Sequence, residues 1–167
     1  MPEPTWVEEQ NQANPLDILE NMFSANDWPY ERRGRDEIGV VVTGRWCDYS
    51  LVFSWCDEIS ALHYCCAMDM RVPDASRSQI AELLAIANEK LLVGHFGVCS
   101  SDSVPMYRQT VLLRGTRGLS AESLEDMVDI SLTECERFYP AFQFVIWGGK
   151  SAQDAVASAM LECVGEA

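Results

Sequence analysis

An α+β fold is predicted for this 167-residue chain: an antiparallel sheet with helices mainly on one face, in the order α-β-β-β-β-α-β-β-α-α. Three observations predict it. Apolar residues recur at helical spacing near the start, switch to alternation from about residue 29 to 72, and later return to helical spacing. Short turn-forming segments separate the alternating runs at hairpin distances, so consecutive strands pair antiparallel rather than through long crossovers. Hydrophobic residues make up 48% of the chain and charged residues 23%, which is enough apolar material at this length for one core.

Residues 1–13 mix Pro, Glu, Gln and Asn around only Trp6 and Val7, and are expected to form a mobile tail ahead of a single domain over 14–164. Asn14 caps the first helix and Pro15 takes its first position, with Leu16, Leu19, Met22 and Phe23 on one face, until Asn26. The meander follows. Ile38, Val40 and Val42 alternate up to a two-residue Gly44-Arg45 turn, and Cys47, Tyr49, Leu51, Phe53 and Trp55 alternate after it. That turn sets Val42 opposite Cys47 and Val40 opposite Tyr49. A second turn at Asp57-Glu58 sets Phe53 opposite Leu62, Leu51 opposite Tyr64, Tyr49 opposite Cys66 and Cys47 opposite Met68.

Ser76 and Gln79 have capping-box form, and Ile80, Leu83, Leu84, Ala87 and Leu91 make the stripe of the next helix. Residues 93–100 and 104–113 form a further hairpin, with Phe96, Val98, Tyr107, Val111 and Leu113 inward. Ser120 caps a long helix, stapled by Leu119 and Leu124, that buries Leu124, Val128, Ser131, Leu132, Cys135 and Phe138. Its acidic residues, Glu122, Glu125, Asp126, Asp129, Glu134 and Glu136, read as a solvated face. Pro140 is expected to kink or restart this helix. Gly148-Gly149 ends it and Ser151 caps the last one. The "GGKS" there lacks the spacing of a phosphate loop.

With 26 acidic residues against 12 Lys and Arg, the net charge is −14, which argues against nucleic acid and anionic lipid as partners. No apolar run is long enough to span a bilayer, and the start has no secretory pattern, so a cytoplasmic protein is expected. Seven cysteines without a recognisable framework then read as reduced thiols. The adjacent Cys65 and Cys66 raise the question of chemistry. On a strand they point to opposite sides, Cys66 inward with Tyr64 and Met68, Cys65 outward with His63, so the pair does not chelate one metal. No metal or cofactor is expected, and no catalytic set is evident.

"NEKLLVGHFGV" at 88–98, "MYRQTVLL" at 106–113, the acidic helix from Ser120 and "GGKSAQDAV" at 148–156 together resemble the bacterial YbjN domain family of sensory transduction regulators, over roughly residues 15–160. The resemblance implies a fold similar to the type III secretion chaperones, small acidic α/β proteins that are often dimers and hold extended partner segments. It carries over no catalytic residue.

The expected function is a nonenzymatic regulator or chaperone-like module that binds a protein partner or a second copy of itself. Its candidate contact residues are Val41, Val52, His63, Cys65, Cys99 and Met106, on the sheet face away from Tyr49, Leu51, Phe53, Tyr64 and Met68. A homodimer contact, a bound segment or a covering helix each account for that less polar face. The alternative is a thiol-dependent enzyme or redox sensor using Cys65 or Cys99 with His63 or His95. A small-molecule sensor also stays open, with no ligand named.

Overall fold

The computed structural model describes residues 14–165, so the expected tail over 1–13 lies outside the described residues. The elements follow the anticipated order: α1 (Pro15–Ala25), β1 (Tyr30–Arg33), β2 (Glu37–Thr43), β3 (Asp48–Cys56), β4 (Ala61–Ala67), α2 (Arg77–Lys90), β5 (His95–Val98), β6 (Pro105–Leu112), α3 (Ala121–Ile146) and α4 (Ala152–Val164). One antiparallel sheet runs β1-β2-β3-β4-β6-β5.

Local chemistry sets the ends of the helices. Asn14 accepts the Leu16 N–H through its side-chain oxygen at 3.0 Å and donates from its amide to Arg35 O at 2.9 Å, so α1's cap also ties it to the β1–β2 turn. Ser120 and Ser151 accept the Ser123 and Asp154 N–H groups at 3.1 and 3.2 Å. Gly149, at φ +62°, ends α3 in a conformation that side chains disfavour. Ser76 stands at the start of α2 without a capping bond, because a 3-10 turn (Asp74–Ser76) precedes the helix and Gln79 turns away to accept the Ala152 N–H at 3.1 Å. The expected capping box is replaced by a tie between α2 and α4.

Leu16, Leu19 and Phe23 of α1, Ile80 and Leu83 of α2, and Phe138 and Phe142 of α3 meet the inward side chains Ile38, Leu51, Phe53, Tyr64 and Tyr107 in one core. Phe53 and Tyr64 stack with centroids 4.3 Å apart, and the Tyr64 hydroxyl meets Ser131 Oγ, the buried polar side chain of α3, which donates in turn to Val128 O. Leu132 is only partly buried.

Several expectations are corrected. Both meander registers are shifted by two residues: Val42 faces Tyr49 and Phe53 faces Tyr64. The first loop spans four residues, closed by Gly44 N–H to Cys47 O at 2.9 Å, and the second contains a 3-10 turn (Asp57–Ile59) with Ser60 at φ +48°. An even shift leaves each side chain on its face, so the core assignment survives. α3 continues through Pro140 without a break. A missing N–H costs about 3 kcal/mol or more, and burial of Phe138, Tyr139, Phe142 and Val145 around it outweighs that loss. Glu136 is no solvated spectator, for its carboxylate accepts the Arg45 N–H at 2.8 Å.

The far edge of the sheet is closed by a side chain. Asn88 at the end of α2 donates to Phe96 O at 3.1 Å and accepts the Phe96 N–H at 2.6 Å, occupying both outward backbone groups of Phe96, which a further strand would use.

At Gly44 an added Cβ would lie 2.3 Å from both Glu136 Oε1 and the Tyr49 ring, with Tyr49 fully buried. Gly44→Ala is expected to lower stability by about 1–3 kcal/mol through overpacking, read as a lower urea midpoint at unchanged slope.

Candidate functional site

The alternation that buries Tyr64 and Cys66 sends His63 and Cys65 to the other side of β4. Cross-strand pairing places their neighbours. One row runs Gly39, Val52, Cys65, Arg108 and His95 across five strands. A second holds Val41, Ser50, Ala67, Met106 and Gly97, and a third Ser54, His63 and Thr110. The helices bury their apolar stripes in the core beneath the opposite face, and among the described residues none packs over these rows.

Val52, His63, Cys65 and Met106 therefore stand together, each half-buried, and Val41 lies on the same face of β2, 47% exposed. Cys99 is less central than expected. It follows the last residue of β5 in the hairpin to β6, where its Sγ lies 3.0 Å from Ser101 Oγ. Of the anticipated cysteine–histidine combinations, the structure hydrogen-bonds Cys65 with His63.

His63 is held at both ring nitrogens. Nδ1 lies 2.8 Å from Thr110 Oγ1, while Nε2 is 3.3 Å from Cys65 Sγ and 3.4 Å from the Arg108 guanidinium. Burial, then Arg108 and His95, lower the histidine pKa, so the imidazole is neutral near pH 7. Burial pushes the Cys65 thiol up, partly offset by Arg108. The resting pair is thus thiol and neutral imidazole, with Thr110 fixing the ring. Arg108 was missing from the sequence-based set, although it alternates with Tyr107 and so had to share the face of Met106 and Thr110.

Where Ser50 and Ala67 meet, the face opens into a depression of about 520 Å³ also lined by Asp48, Asp69, Arg71 and Asp102. Among the described residues no group of three or more His, Cys, Asp or Glu could hold a metal ion, and no helix is long and apolar enough to cross a membrane.

A protein-family profile described as "Putative bacterial sensory transduction regulator", YbjN, matches residues 15–144, most of the chain. The chain belongs to the YbjN family. No curated protein matches it. Among solved structures it is similar to the crystal structure of E. coli YbjN, described as "a putative transcription regulator", at 12% identity and a TM-score of 0.49, over 71% of this chain and 84% of that one. The YbjN match ends within α3, so α4 lies beyond it.

The lowered His63 pKa has a definite sign. The unfolded chain takes up this proton first as pH falls, so the contribution to stability is complete above the ordinary value of 6.5 and is lost as pH drops below it toward the folded midpoint. NMR titration of the His63 ring is expected to give a midpoint below 6.5. Arg108→Gln should raise that midpoint only part of the way, because burial is the larger cause.

Proposed function

We propose that this YbjN-family chain is a nonenzymatic cytoplasmic regulator that works by protein contact, in one domain over residues 14–164, with no cofactor. The observation that carries the reading is the outer sheet face, where Val41, Val52, Cys65, Ala67 and Met106 stand half-exposed in two neighbouring rows, among Ser50, Arg108 and His95, with no described helix over them. An antiparallel sheet commonly leaves one face to solvent, but such a face is normally more polar than this one. Burying it against a second copy of the chain, or against an extended segment of another protein as a chaperone does, contributes roughly 25 cal/mol per Å² of apolar surface before association costs. The net charge of −14 supports a protein rather than nucleic acid as the partner. The match to a regulator family agrees with this role.

Sedimentation and affinity capture test the reading together. Wild type is expected to sediment as a dimer or to retain a specific protein, and Val52→Glu should abolish the association while keeping the helical circular-dichroism signal. Tyr64→Asp, beneath the same strand, should instead unfold the chain, because it places a carboxylate in the core beside Phe53. A wild type that stays monomeric at high micromolar concentration and captures nothing sensitive to Val52→Glu would refute the proposal.

A further inference from the structure

We propose that Cys65 is a thiol-modification site, with His63 as its base and Arg108 as the anchor for a small anionic disulfide, half of which the protein takes up as a mixed disulfide. Cys65 belongs to the face proposed above for partner contact, so the modification takes place on the uncovered face of the chain. Its basis is an arrangement of four side chains. The nucleophile and the base are in hydrogen-bond reach, Cys65 Sγ to His63 Nε2 at 3.3 Å, and the base is oriented by Thr110 Oγ1 at 2.8 Å from Nδ1. A guanidinium stands at the same imidazole nitrogen, 3.4 Å away. Cys65 is half-buried rather than sealed, while Arg108 is exposed.

The step balances without a further reagent. His63 Nε2 takes the thiol proton as Cys65 Sγ attacks one sulfur of the small disulfide. A new S–S bond forms, the old one breaks, and the departing thiolate recovers the proton from His63. Cys65 is oxidised, and the reagent is reduced to one equivalent of free thiol. Proton removal during attack is required because the resting thiol is neutral, which on its own would make Cys65 slower than an ordinary cysteine. Arg108 accounts for the ligand's charge. On a chain of net charge −14, a guanidinium beside the thiol favours a carboxylate-bearing disulfide over an uncharged one.

Other thiols provide the contrast. Cys56 and Cys163 are exposed, and accessibility alone ranks them first. Cys66 and Cys135 are buried with sulfurs 3.7 Å apart in the core.

The test is exposure of the full chain to glutathione disulfide as the anionic probe and hydroxyethyl disulfide as the uncharged one, followed over time by peptide mapping. Cys65 is expected to be labelled ahead of Cys56 and Cys163. His63→Gln should slow Cys65 by about tenfold or more with Cys56 unchanged, and unlabelled Cys66 certifies an intact core. Thr110→Val, which keeps the thiol and imidazole, should slow it in the same direction. Arg108→Gln should slow glutathione disulfide more than the uncharged probe. Labelling of Cys56 or Cys163 before Cys65, or a Cys65 rate unaffected by both His63→Gln and Thr110→Val, overturns the proposal; equal effects of Arg108→Gln on the two probes overturn the anionic ligand.

Discussion

Phe53 and Tyr64 face each other across the two central strands, rings stacked 4.3 Å apart, and the Tyr64 hydroxyl reaches Ser131 in the middle of α3. This contact decides which side of β3 and β4 is inside. Leu51 and Tyr49 follow on one strand, Leu62 and Cys66 on the other, and Tyr107 joins from β6. Every side chain of the outer face is placed by the same choice, since a strand offers only two sides. Moving Tyr64 outward would bring His63 and Cys65 into the core, where an unpaired imidazole costs free energy and the loss of the Tyr64 ring leaves Phe53 without its stacking partner.

This explains why so much of the molecule could be read from its residues, and where the reading stopped. Side-chain alternation is local information, so the inward set and the outward placement of His63 and Cys65 were legible. Pairing register depends on loop geometry, and the four-residue loop after Thr43 is held by Glu136 from a helix some ninety residues later in the chain. Nothing near Gly44 announces that partner. The same holds for Gln79, which looks like a capping residue until α4 comes within its reach, and for Pro140, whose effect on helical geometry is overridden by the packing of its neighbours. The Arg108 contact needed both alternation and the β4–β6 register.

The two sides of the sheet consequently have different chemistry. One is saturated with aromatic and aliphatic contacts from α1, α2 and α3, where Cys66 and Cys135 act as small apolar fillers. On the other side, the thiol, imidazole and guanidinium lie in contact amid short apolar side chains and hydroxyls. This member of the YbjN family thus keeps its packed core and its thiol, imidazole and guanidinium on opposite sides of one layer of backbone. Changes among the outer residues leave the contacts of the core in place.

Asn88 bears on how copies of this protein can be arranged. By taking the N–H and C=O of Phe96 it substitutes one side chain for a neighbouring strand, and the sheet terminates there. At the opposite margin β1 is four residues long, carries Glu31, Arg32 and Arg33, and is braced by Arg32 to Asp17 and Glu20 of α1. Both margins are poor templates for strand addition, because one has Phe96 already hydrogen-bonded to Asn88 and the other is short and charged. Growth of the sheet by addition of strands from neighbouring copies is disfavoured at both ends.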